Sequence, residues 1–167
     1  PGDLLIAPFD CYGGTYRLLE SLNERGHFKV LFIDQTDKDA LKDAFEHGPR
    51  MIFTETPTNP LLRIIDLEFV KSLCEKQDTL MAVDNTFASP VLQRPIDFGA
   101  DIVVHSTTKY LNGHSDVIGG ALVTTTQEQQ DELLWWTNTI GYTPSAFDCF
   151  LILRGMRTLD VRMRRAQ

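Results

Sequence analysis

The chain is 167 residues long and carries 16 Lys plus Arg against 23 Asp plus Glu, a formal net charge of −7 at pH 7. Its 43% hydrophobic and 23% charged residues are those of an ordinary globular domain, long enough to bury one real core. The acidic balance argues against a generic nucleic-acid binder, whose affinity needs clustered Lys and Arg. No run approaches the roughly 18 apolar residues of a membrane helix, so no membrane partner is expected. Cys11, Cys74 and Cys149 are odd in number and never form a CxxC pair. A disulfide scaffold and a metal site are therefore not expected, and a reducing cytosol is the expected compartment.

The chain opens at Pro1 without Met and closes inside a helical pattern at Gln167, and is expected to be a piece of a longer protein. Apolar runs alternate with amphipathic ones throughout, with no repeat or linker, which reads as one continuous domain. Leu4 to Ala7 reads as a strand, and Thr15 to Arg25 as a helix that stops at Gly26, a C′ glycine. Phe28 to Ile33 is a strand; Asp37 to His47 is a helix ending before Gly48. Met51 to Thr54 is a strand, and Asp66 to Gln77 is a helix with Phe69, Val70, Leu73 and Cys74 in its apolar stripe. Strands follow at Leu80 to Val83, Ile102 to His105 and Gly120 to Thr124, with helices at Gln127 to Thr137 and Pro144 to Met163. Short buried strands joined by helices of ten or so residues predict an α/β fold, a mostly parallel sheet with helices on both faces.

In such a sheet ligands bind beyond the carboxyl ends of the strands. Three strands finish in unusual polar residues: MIFTE leads to Asn59, LMAV to Asp84 and Thr86, IVVHS to Ser106, Thr108 and Lys109. Each has an ordinary alternative. Asp84 could cap a turn, Lys109 could be a solvated lysine, and the hydroxyls could satisfy loop amides. Asn59 could shape a turn between prolines, and Tyr12, ahead of Gly13-Gly14, could be a half-buried aromatic. Together they suit pyridoxal phosphate: an amine for its aldehyde, a carboxylate for its ring nitrogen, hydroxyls and helix-start amides for its phosphate.

The segment DIVVHSTTKYLNGHS, Asp101 to Ser115, closely resembles the cofactor-attachment signature of the Cys/Met metabolism enzymes, a pyridoxal-phosphate family of synthases, lyases and sulfhydrylases. CYGGTYRL (Cys11 to Leu18), ETPTNPLLRIID (Glu55 to Asp66) and VDNTFASPVLQRP (Val83 to Pro95) match as well. So do GGALV (Gly119 to Val123) and AFDCFLILRGMRTL (Ala146 to Leu159). The resemblance implies residues 1–167 of the large cofactor-binding domain of fold-type I, with an N-terminal segment and a C-terminal domain lying outside them. It implies that Lys109 attaches the cofactor and moves protons, that Asp84 pairs with the ring nitrogen and that Tyr12 stacks on the ring. Ser106 and Thr108 are implied at the phosphate, Asn59 near the 3′-oxygen and substrate carboxylate, and Thr86 under the ring. WWTNTIG (Trp135 to Gly141) is most similar to the bacterial γ-replacement branch. That branch joins O-succinylhomoserine, or another O-acylhomoserine, to cysteine and gives cystathionine. The family further implies a homotetramer acting on amino-acid substrates. The alternatives are a β- or γ-lyase or a sulfhydrylase of the same family, a nucleotide-binding α/β domain, or a non-catalytic piece. Against the nucleotide reading, neither GxGxxG after the first strand nor GxxxxGK[ST] occurs.

Overall fold

The structure is a computed structural model and describes residues 2–167. It divides into two compact units, Pro1–Asp84 with Pro95–Asp101, and Asn85–Arg94 with Ile102–Gln167.

The first unit holds β1 (Leu4–Pro8), α1 (Gly13–Glu24), β2 (Lys29–Ile33), α2 (Lys38–Phe45), β3 (Met51–Glu55), α3 (Leu67–Cys74) and β4 (Leu80–Asp84). Its strands run in the order β2-β1-β3-β4, and all three pairings are parallel. Parallel pairing follows from the connections, since each strand is joined to the next through a helix long enough to return the chain to the starting edge. Ile6, Ile52, Met81 and Val83 on the strands are buried with Leu41 and Phe45 of α2 and Val70 and Cys74 of α3. Asp37 and Asp66, read from sequence as helix residues, are the N-caps. Asp37 Oδ1 accepts the amides of Asp39 and Ala40 at 2.9 and 3.2 Å, and Asp66 Oδ1 accepts that of Phe69 at 3.0 Å. Gly26 follows the C-cap of α1 with positive φ, as the C′ reading required, and Gly48, just beyond the end of α2, also has positive φ.

The second unit holds a short α4 (Ser89–Leu92), β5 (Ile102–Ser106), β6 (Gly120–Thr124), α5 (Gln127–Ile140), α6 (Ala146–Met156) and α7 (Leu159–Ala166). Here β6 pairs antiparallel with β5, Ser106 facing Gly120 and Ile102 facing Thr124. The connection of residues 107–119 contains turns and no helix, so the chain doubles back instead of crossing over. The helix expected over Pro144 to Met163 is two helices. Gly155 lies so close to Asn112 that a Cβ would stand 2.1 Å from the Asn112 carbonyl oxygen. Its own carbonyl accepts the Thr158 amide at 3.1 Å and Arg162 Nη2 at 2.8 Å, which closes α6. Leu111, Leu159 and Met163 form a buried cluster against which Val91 packs.

The six strands are thus mostly parallel in an α/β fold, as the alternation of elements predicts. Among the described residues no helix is long and apolar enough to cross a membrane.

Candidate active site

In the first unit the expected residues gather about a carboxylate that spacing alone did not single out, Glu55, the last residue of β3. It is buried, 5% exposed. Glu55 Oε2 accepts the backbone N–H of Tyr12 at 3.0 Å, and Oε1 accepts that of Asn59 at 2.7 Å. Asp84 ends β4 in register with Glu55 on the neighbouring strand. Tyr12 stands at the entrance of α1 with its side chain half exposed. Gly14 leaves room for the ring: a Cβ there would come within 2.5 Å of Tyr12 Cε1. The segment carrying Asn59 is tied down as well. Thr58 Oγ1 donates to Asp10 Oδ2 at 2.7 Å and accepts the Arg63 amide at 3.1 Å, and Thr56 Oγ1 accepts that of Ile65 at 3.1 Å.

Burial dominates the electrostatics of this group. It pushes the Glu55 carboxyl from its ordinary 4.5 up to about 7, against the pull of the two amides and with the help of the Asp84 and Asp10 charges. Cys11, buried beside it, is pushed up to about 11 by burial and then by the Glu55 charge, so it is a thiol at neutral pH.

In the second unit the chain leaving β5 folds tightly. Thr86 Oγ1 accepts the Ser106 amide at 2.8 Å. Asn85, buried next to it, receives Gln93 Nε2 at 3.0 Å and donates to the Gln93 carbonyl at 2.8 Å, which fixes the start of this segment. The Lys109 amide reaches the Ser106 carbonyl at 3.4 Å, and the Lys109 carbonyl accepts the Gly113 amide at 2.7 Å. Thr108 Oγ1 accepts the Gly119 amide at 3.0 Å and donates to the Gly119 carbonyl at 3.3 Å. Lys109 itself is exposed and, with Thr108, Tyr110, Gly113, Asp116 and Arg162, lines a cavity of about 830 Å³. Arg162 is a second residue that sequence spacing did not single out. Its Nη1 donates to the Tyr110 carbonyl at 2.7 Å and its Nε to Thr158 Oγ1 at 3.0 Å, holding the backbone just past the lysine. Among the described residues no group of three His, Cys, Asp or Glu is placed to hold a metal ion.

The two units therefore carry two ordered sets: Tyr12, Asn59 and Asp84 about Glu55, and Ser106, Thr108 and Lys109 at the turn that leaves β5, with Thr86 bound to the Ser106 amide. The model of the Cys/Met metabolism PLP-dependent enzymes matches residues 1–167. The chain belongs to that family.

Cystathionine γ-synthase of Escherichia coli K12 is 52% identical over all 167 residues of the chain, which cover 43% of its length. The cystathionine γ-lyase of Dictyostelium discoideum is 46% identical over 99% of the chain and 43% of its own length. Among solved structures, the cystathionine γ-synthase of Xanthomonas oryzae pv. oryzae with aminoacrylate and cysteine superposes with a TM-score of 0.95 at 54% identity. That match covers 96% of this chain and 42% of the other. The chain thus spans about two fifths of the length of the relatives it matches.

Pyridoxal 5′-phosphate is the cofactor of this family, and the donor sets fit it. An exposed lysine on a cavity wall offers an amine to the aldehyde. The acid at the end of β4 can hold a proton on a ring nitrogen. The hydroxyls and amides of the turn after β5 suit a phosphate.

Proposed function

We propose that the protein containing this chain is a pyridoxal-phosphate-dependent transferase that carries out γ-replacement. It joins an O-acylhomoserine, O-succinylhomoserine first, to cysteine and gives cystathionine. One observation carries the reading: Lys109, on the STTKY turn, is exposed on the wall of the 830 Å³ cavity with its backbone locked from both sides. Supporting it are the 52% identity to one cystathionine γ-synthase and the fact that the Xanthomonas enzyme has been solved with cystathionine.

When bound, pyridoxal phosphate supplies an electron sink for the pair left at the substrate Cα. The roles of this chain's residues follow. Lys109 Nζ would anchor the cofactor and, once freed as an amine, would move protons at Cα and Cβ in turn, giving up the first before it takes the second. The acyl carboxylate leaves from Cγ, the cysteine sulfur bonds there in its place, and Lys109 Nζ returns protons to Cβ and Cα. Asp84 keeps the ring nitrogen protonated, which a carboxylate does by favouring the cationic form of its partner. Tyr12 would stack on the ring and Thr86 would lie beneath it, while Asn59 would hold the 3′-oxygen and the substrate carboxylate. Ser106 and Thr108 would hold the phosphate. Thr108 can donate there by turning its proton from the Gly119 carbonyl while still accepting the Gly119 amide. We further propose that the residues form most of the large cofactor-binding domain of a cytosolic homotetramer.

The test is an assay of the full-length protein with O-succinylhomoserine plus cysteine, run beside cystathionine alone. Net synthesis of cystathionine with succinate release supports the reading. Cleavage of cystathionine without synthesis transfers the protein to the lyase branch, where the Dictyostelium and Coxiella relatives lie at 46% and 42% identity. Borohydride treatment of the holoenzyme should fix the cofactor to the peptide containing Lys109. Lys109→Ala should remove both the fixation and turnover, and near-native turnover in that variant would refute the assignment.

A further inference from the structure

We propose that Glu55 is a positioning residue of the cofactor site, the one side chain that sets where Tyr12 and Asn59 stand. The inference rests on the roles given above to those two residues. It starts from two hydrogen bonds, Oε2 to the Tyr12 amide at 3.0 Å and Oε1 to the Asn59 amide at 2.7 Å. These partners lie 43 residues upstream and 4 residues downstream, so a single carboxylate ties the entrance of α1 to the loop after β3.

Chemistry limits what else could stand there. A carboxyl can accept at both of its oxygens, as Glu55 does here, and two amides converge on it. Glutamine offers one acceptor and one donor, so one of the two N–H groups would face another N–H. Aspartate has both acceptors but is shorter by a methylene. An apolar side chain would leave two amides without this partner in a region where Glu55 itself is only 5% exposed. Two hydrogen bonds to one side chain suit a device that must hold an aromatic ring and an amide to within a fraction of an ångström, and they strengthen as the carboxyl ionises above about pH 7.

The surroundings do not supply a simpler role. Glu55 ends β3 in register with Asp84, and both Asp84 and Asp10 act on it as like charges. A buried acid beside two others is not there to gain ion-pair energy. Asp10, for its part, is engaged by Thr58 Oγ1 at 2.7 Å, on the same loop that carries Asn59. The acids of this unit thus grip one loop at Thr58 and Asn59 and one helix entrance at Tyr12.

The test uses the full-length holoenzyme with Glu55→Gln and Glu55→Asp variants. The readouts are the dissociation constant of pyridoxal phosphate and the visible circular dichroism of the bound cofactor, which reports how its ring is held. Glu55→Gln should weaken cofactor binding at least tenfold and change the ellipticity per unit absorbance. Glu55→Asp should recover part of both. A Glu55→Gln protein with cofactor affinity within twofold of the parent and the same dichroism overturns the proposal, even if its unfolding temperature falls, since only a structural role would then remain. Should that variant not fold, hydrogen exchange on the parent protein decides. Cofactor loading should slow exchange at the Tyr12 and Asn59 amides together, and slowing at one without the other overturns the proposal. Absence of borohydride fixation at Lys109 in the parent would sink the proposed function instead, so the two failures are distinguishable.

Discussion

At the scale of single residues, the small ones next to the expected site groups decide as much as the groups themselves. Gly14 has an ordinary helical backbone, so alanine there costs nothing in φ and ψ, and alanine is the better helix former by about 1 kcal/mol. Its Cβ would meet the Tyr12 ring at 2.5 Å, however, and the ring must swing away. Gly14→Ala should therefore weaken pyridoxal phosphate binding several-fold without lowering the unfolding temperature, which cofactor titration and thermal melts check together. Glu55 makes a second prediction. Its carboxyl is raised from 4.5 to about 7 in the fold, so between these values the folded chain keeps a proton that the unfolded chain releases. Stability from this group is then fully present below pH 4.5 and lost as pH rises towards 7, the reverse of the usual paired carboxylate. Glu55→Gln carries no such titration. Its unfolding free energy should gain on the parent by about 3 kcal/mol between pH 4.5 and 7.5 in urea titrations of the cofactor-free protein. The set from Tyr12 to Lys109 could be named from sequence because each residue stands at a strand end or helix entrance within a dense motif. Glu55 was not, because a glutamate closing a strand reads as a solvated turn residue until its two amides come into view.

At the scale of elements, the helix starts were legible and one helix stop was not. Asp37 and Asp66 announce α2 and α3 by their own chemistry, an oxygen reaching amides two or three residues on. The break between α6 and α7 has no such sign: Arg157-Thr158 is neither Gly nor Pro, and the periodicity runs straight through it. What ends α6 is the approach of Gly155 to the Asn112 backbone and the capture of its carbonyl by Thr158 and Arg162. A side chain at 155 cannot be accommodated by a rotamer change, since the atom it meets is a backbone oxygen. Gly155→Ala should cost about 3 kcal/mol and lower the unfolding temperature by several degrees in calorimetry. Because Asn112 lies three residues past Lys109, borohydride fixation at Lys109 should fall as well.

At the scale of the molecule, apolar exposure is concentrated in the second unit. Leu134, Trp135, Trp136 and Ile140 of α5, Tyr142 beyond it, and Phe147, Phe150 and Leu153 of α6 are all exposed, Tyr142 by 77%. A monomer rarely leaves contiguous patches of more than a few hundred Å² uncovered. The 167-residue chain on its own should therefore self-associate at micromolar concentration in sedimentation velocity. The full-length protein should instead give one discrete homo-oligomer, a tetramer on the present proposal. A cleanly monomeric 167-residue chain, with tryptophan emission typical of solvent-exposed indole, would count against a covered role for α5 and α6.

The sequence by itself determined the alternation of strands and helices, the α/β class and the family, through the STTKY segment and the blocks around it. Those features are local: side-chain periodicity and capping act over a few residues, and a motif is read without knowing what it touches. Tertiary structure alone decided the direction of β6, the division of the last helix, and the carboxylate that joins Tyr12 to Asn59. Each depends on groups brought together from distant stretches of chain, where the cost of leaving a buried polar group unpaired, rather than any local preference, selects the arrangement.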